Sequence, residues 1–197
     1  MLLALRYVIP ALMMEAHPPG STASPYGYVE YVPPDPGPRP RPLLLVLHGG
    51  SSRGDGSHPR SIIHRLPPLR YVARARLLGS SSPLVDAGVL IAAPQSPGEW
   101  DAAKIDALLD YLLATHDIDR DRVYLTGPSM GGCGTWRYAA VHPERLAAAH
   151  SYPNCYCFRR PLVIHRFLWR DDSAGANRRD PSDAPGFWEG VMTDRSP

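Results

Sequence analysis

The stretch Val123-Tyr124-Leu125-Thr126-Gly127-Pro128-Ser129-Met130-Gly131-Gly132 decides how this chain is read. Val123 to Thr126 combines β-branched, aromatic and aliphatic residues, as a short buried strand would. Gly127 to Gly131 then fit the pattern G-x-S-x-G, and the residues up to His142-Pro143 read as a helix. A serine held in a sharp strand-to-helix turn has a strained backbone and projects its hydroxyl above the sheet. Glycines on both sides remove the Cβ atoms that would clash there. The following helix aims its positive end at the serine, where negative charge would develop. Ser129 is therefore the candidate nucleophile. The competing reading is an ordinary glycine-rich turn; the flanking strand and helix weigh against it.

Upstream, Leu43 to Leu47 is a continuous apolar run, which suits a strand buried on both faces of a parallel sheet. Val89 to Ala93 reads as a second such strand, and Tyr26 to Tyr31 alternates as a strand does. Residues 15 to 25 read as a loop, and the prolines from Pro33 to Pro42 exclude a helix or a central strand there. Asp101 to Thr115 is the clearest helix: Ile105, Leu108, Leu109 and Leu112 recur on one face, and Asp101 suits the positive end of the helix dipole. A short helix is expected over Pro68 to Leu78. Alternating strands and helices predict an α/β domain with a mainly parallel sheet and Ser129 at its carboxyl edge.

His48-Gly49-Gly50 follows the first apolar run. Acyl transfer develops an oxyanion, which preorganised N–H donors stabilise by roughly 3 kcal/mol each. The backbone N–H groups of Gly50 and Met130 are the candidate oxyanion hole. His48 is expected to pack the loop rather than act as the catalytic base.

These stretches resemble the predicted-peptidase and phospholipase/carboxylesterase group of α/β-hydrolases, with prolyl-oligopeptidase-like and feruloyl-esterase-like relatives. The resemblance rests on Tyr31-Val-Pro-Pro-Asp35, Leu47-His-Gly-Gly-Ser-Ser-Arg-Gly-Asp55, Ala93-Pro-Gln-Ser-Pro-Gly-Glu-Trp100, Asp119-Arg-Asp-Arg-Val-Tyr-Leu-Thr-Gly127 and Ser129-Met-Gly-Gly-Cys-Gly-Thr-Trp136, with His142-Pro-Glu-Arg145 behind them. The family usually has H-G-x-G-E-R-G-D in the second stretch, where this chain has Ser51 and Ser52 in place of Gly and Glu. The resemblance implies a three-layer α/β-hydrolase sandwich, an acyl-enzyme on Ser129, a small-molecule ester substrate and no cofactor or metal. It covers about residues 26 to 149. This gives an N-terminal segment 1–25, a hydrolase core 26–149 and a divergent tail 150–197.

Past Ala149 the family would supply a strand bearing the catalytic Asp and, later, the catalytic His. This chain instead turns rich in Arg, Asp and Ser. A strand, a helix and two loops take roughly 24 residues, so completing the sheet would need about 70 where 48 remain. At least one unit is therefore expected to be missing or degraded, leaving the sheet incomplete at its C-terminal end. A truncated or out-of-frame product of a GC-rich gene fits the single lysine, Lys104. His142 lies about 20 Å along the helix from Ser129 and is excluded as the base. His150 would end the next strand. His165, after the apolar Pro161-Leu-Val-Ile164, with Asp171 close behind, is the candidate base and carboxylate, although the order Ser…His…Asp is not the usual one for this fold. The alternative places both in a non-catalytic tail.

The rest of the composition excludes more than it selects. A net charge of +2 gives no reason to expect nucleic acid, and no run approaches the roughly 20 apolar residues of a membrane span. Met1 to Met14 makes a poor secretory signal, so a cytoplasmic location is expected, with secretion as the alternative. Cys133, Cys155 and Cys157 are expected to be reduced thiols. The functional reading is a serine hydrolase of carboxylic esters. Its alternatives are a catalytically impaired or non-catalytic relative and a serine peptidase.

Overall fold

The computed structural model describes residues 14–34 and 39–151 and the backbone of 163–165. Its strands are β1 (Glu15–His17), β2 (Gly27–Tyr31), β3 (Arg41–Val46), β4 (Leu90–Gln95), β5 (Ile118–Gly127), β6 (Ala148–Ser151) and β7 (Val163–His165). They form one sheet in the order β1-β2-β4-β3-β5-β6-β7. The central strands β4, β3, β5 and β6 run parallel, while β1, β2 and β7 join antiparallel.

Why the central runs are apolar at every position is visible in the packing. Alternate residues of a strand point to opposite faces, and both faces of this sheet are covered. Leu43, Leu45, Leu90, Ala92, Val123 and Leu125 face Ile105, Leu108, Leu109 and Leu112 of helix α3 (Ala102–Thr115) and Tyr138 and Ala139 of helix α4 (Met130–Val141). Leu44, Val46, Ile91, Ala93 and Tyr124 face the other way, onto Leu69, Val72 and Ala73 of helix α1 (Pro67–Leu78) and onto Ile62 and Ile63 of a 3₁₀ segment, Pro59–Arg65. The short helix α2 (Pro83–Asp86) leads into β4. Three layers result.

Two expectations fail locally. The stretch read as loop contains β1, too short and too polar to show a period. The proline-rich stretch ends inside β3, which includes Pro42. The β3–β5 register shifts between Arg41 and Leu43, so Pro42 sits at an irregularity of the ladder, where a missing N–H is tolerated.

Helix α3 starts as its sequence suggests. Asp101 is the N-cap, and its carboxylate accepts hydrogen bonds from the backbone N–H of Ala103 at 2.9 Å and of Lys104 at 3.4 Å. Asp101→Ala leaves these donors to water and is expected to cost about 1 kcal/mol of unfolding free energy. Urea denaturation of the two proteins, with an unchanged m-value, measures it.

Candidate active site

β5 ends at Gly127 and α4 begins at Met130, so Ser129 sits in the turn between them at the N-cap position of α4. Its backbone has φ 50° and ψ −117°, and it is the sole non-glycine residue with positive φ among the described residues. Serine at an N-cap normally turns its oxygen back onto the first turn. Ser129 makes no such cap bond and its residue is exposed, while Met130 and Gly131 beside it are buried. Among the described residues no hydrogen bond to its Oγ is formed. The hydroxyl is thus directed outward from the carboxyl edge of the sheet.

The turn is tight because it lies against the end of β3. A Cβ at Gly127 would stand 2.5 Å from the carbonyl oxygen of Leu47, and one at Gly131 would penetrate that same oxygen. Only glycine permits this approach. It brings the His48-Gly49-Gly50 loop to the serine: a Cβ built at Gly49 would be 3.7 Å from Ser129 Cβ. Gly50 is the next residue and opens a 3₁₀ turn, Gly50–Ser52. Met130 opens α4, and the first N–H groups of a helix have no partner within it.

His48 is fully buried. Its Nε2 accepts a hydrogen bond from the Ser96 backbone N–H at 2.9 Å, which leaves the proton on Nδ1, and Nδ1 donates to Gly49 O at 2.8 Å. The Trp100 indole N–H donates to the His48 carbonyl at 3.1 Å. Burial pushes the His48 pKa below its ordinary value; the hydrogen bond to Gly49 opposes this and nearby Arg53 adds to it. A neutral ring with both nitrogens engaged fixes the loop, as the sequence suggests.

β6 places His150 opposite Thr126 and Ser151 opposite Gly127, at the serine's end of the sheet. Ser151 accepts a hydrogen bond from the Trp136 indole at 3.0 Å, on the α4 side. His150 is buried and, by strand alternation, faces the other layer. The backbone of His165 pairs with Ala148, which is level with Tyr124. That is three residues, about 10 Å, back from Gly127 along the strands. Asp171 lies outside the described residues. The sequence missed one covalent feature: Cys133, the single cysteine among the described residues, is disulfide-bonded, not a free thiol. An odd count with no recognisable spacing gave no signal for it.

No protein-family model matches the chain. Over 119 residues, 58% of this chain, it is 33% identical to "Putative esterase NocK" of Nocardia uniformis subsp. tsuyamanensis, and it spans 33% of that relative's length. Among solved structures it resembles the acetyl xylan esterase of Aspergillus awamori, with a TM-score of 0.50 and 21% identity over 69% of this chain and 50% of that one. It also resembles FphF, a fluorophosphonate-binding serine hydrolase of Staphylococcus aureus, with a TM-score of 0.51 and 18% identity over 69% of this chain and 54% of that one. The chain therefore has the α/β-hydrolase fold, and it spans about half the length of these structures. No helix among the described residues is long and apolar enough to cross a membrane.

Two measurements check the local physics. A non-glycine residue held at such an angle costs about 1–3 kcal/mol, whereas glycine adds about 0.4–1 kcal/mol of unfolded-state entropy. Ser129→Gly is therefore expected to be more stable than Ser129→Ala by about 1 kcal/mol in chemical denaturation. His48 is neutral when folded and binds its proton more readily when unfolded. Its contribution is complete above its ordinary value of 6.5 and is lost as pH falls below it. Thermal unfolding between pH 7.5 and 5 is expected to show this loss, and His48→Asn to flatten it.

Proposed function

We propose that this chain carries the nucleophile half of a serine hydrolase of carboxylic esters, related to the predicted-peptidase and phospholipase/carboxylesterase group. The observation that carries the reading is Ser129 itself: a serine in left-handed backbone geometry, uncapped and exposed, at a helix N-terminus against a glycine loop. In this reading Ser129 Oγ attacks the ester carbonyl. The N–H groups of Gly50 and Met130 hold the oxyanion, and collapse releases the alcohol and leaves an acyl-enzyme for water to cleave. The esterase names of the relatives agree with an ester substrate. A peptide substrate needs the leaving amine to be protonated by a histidine, and no described histidine bonds to Ser129. The Cys133 disulfide favours the secreted alternative over the cytoplasm.

The base is the open role. For His165 to serve, it would have to act on Ser129 from a backbone position level with Tyr124, and the register of β7 works against that. The second reading, an impaired hydrolase, draws its support from the same facts. Without a base, an oxyanion hole and binding alone leave roughly 10³–10⁴-fold acceleration over water. The purified chain is therefore expected to turn over short activated esters slowly and to label weakly with a fluorophosphonate, with both signals lost in Ser129→Ala. Labelling that survives Ser129→Ala rejects the nucleophile. Fast turnover abolished by Ser129→Ala rejects the impaired reading and makes His150 and His165 the next residues to substitute.

A further inference from the structure

We propose that Glu15, His17 and Glu30 form a site for a divalent cation of the zinc type at the β1–β2 edge of the sheet, with His116 orienting Glu30. Glu15 and His17 are two residues apart on β1 and so share a face. The β1–β2 register sets Glu30 directly opposite Glu15. Like charges placed opposite one another across two strands destabilise the pair, and here one of them is buried: the Glu30 side chain is 5% exposed. The ligand atoms of the three residues all lie within 4.8 Å of one another. His17 Nε2 stands between the carboxylates, 2.9 Å from Glu30 Oε1 and 4.0 Å from Glu15 Oε1. Its ring is held by stacking on Tyr28, with centroids 4.5 Å apart.

The second carboxylate oxygen of Glu30 lies 3.1 Å from Nε2 of His116, which follows α3. A partner on the outer oxygen fixes a ligating carboxylate in the way metal sites commonly use. Two carboxylates carry the charge that a divalent ion neutralises, and an imidazole in the set selects a zinc-like ion over magnesium or calcium. The cluster sits on β1 and β2, which β4 and β3 separate from β5, so it lies away from Ser129. A cation here would clamp the edge hairpin β1–β2 to the α3–β5 junction and take no part in acyl transfer. The sequence does not announce it, because E-x-H on one short strand is complete only when β2 is laid beside it.

The test is a titration of the metal-free full chain with zinc chloride, read by calorimetry and by thermal unfolding. One equivalent is expected to bind saturably and raise the melting temperature, with magnesium chloride at the same concentration giving no shift. Glu15 is exposed and faces a like charge, so Glu15→Gln is expected not to lower the metal-free melting temperature and to weaken zinc binding more than about tenfold. Loss of the outer partner in His116→Gln is expected to weaken it about 10–100-fold. Ser129→Ala is expected to bind zinc as the parent does. Absence of stoichiometric zinc binding, an affinity unchanged in Glu15→Gln, or an affinity lost in Ser129→Ala would overturn the site and leave the cluster as an ion pair of Glu30 with two histidines.

Discussion

The end of β3 and the turn after β5 touch backbone to backbone, and the rest of the carboxyl edge is arranged around that contact. Leu47 N–H donates to Thr126 O at 2.8 Å, and the Leu47 carbonyl then fills the space that side chains at Gly127 and Gly131 would need. With no side chain between them, the loop of one strand and the helix start of another lie at van der Waals distance. On the proposed reading, that distance is what would let the N–H groups of Gly50 and Met130 reach one oxygen. The strain at Ser129 follows from it, because a chain leaving β5 this close to β3 must turn sharply to enter α4.

Other contacts hold this junction in place. His48 ties the β3 loop to Ser96 after β4, and Trp100 reaches the same loop from farther along. Trp100 also packs on α4, where a Cβ at Gly134 would stand 2.5 Å from its own Cβ. The loops after β3 and after β4 are thereby tied together by two buried hydrogen bonds, each worth about 1 kcal/mol net but costlier to break on one side. The exposed pairs Arg53–Glu99 and Arg137–Glu99 join the same segments at 3.2 and 3.3 Å. Being open to solvent, they contribute about 0–1 kcal/mol each. The buried polar contacts, not the surface charges, set the geometry.

What the sequence made legible was what repeats or what is chemically singular. Leu43–Leu47, Val89–Ala93 and Val123–Thr126 could be read because a strand buried on both faces has no polar alternation to blur it. Ser129 could be read because few backbones demand glycine on both sides of a serine. β1 was illegible: three residues at an edge, Glu-Ala-His, carry no period, and their pairing depends on a partner a dozen residues away. Pro42 misled because its ring forbids a ladder bond only where the ladder is regular. The disulfide on Cys133 had no local signature, since a half-cystine is defined by a residue distant in sequence.

The exposure of Ser129 bears on chemistry more than its motif does. A hydrogen-bond donor to an oxyanion is worth about 2.7–4 kcal/mol in a dry, preorganised site. The advantage arises because the medium around it screens poorly. Two unit charges 4 Å apart interact by about 1 kcal/mol in water and about 4 kcal/mol at an effective dielectric of 20. Among the described residues Ser129 stands open to solvent, in the weakly rewarding limit. The position of Ser129 and the dryness of its surroundings are thus separate properties in this fold. The first is fixed by two glycines and a carbonyl. The second must come from whatever lies over the carboxyl edge, so on the proposed reading an acyl-transfer rate would depend on that cover as well as on the base.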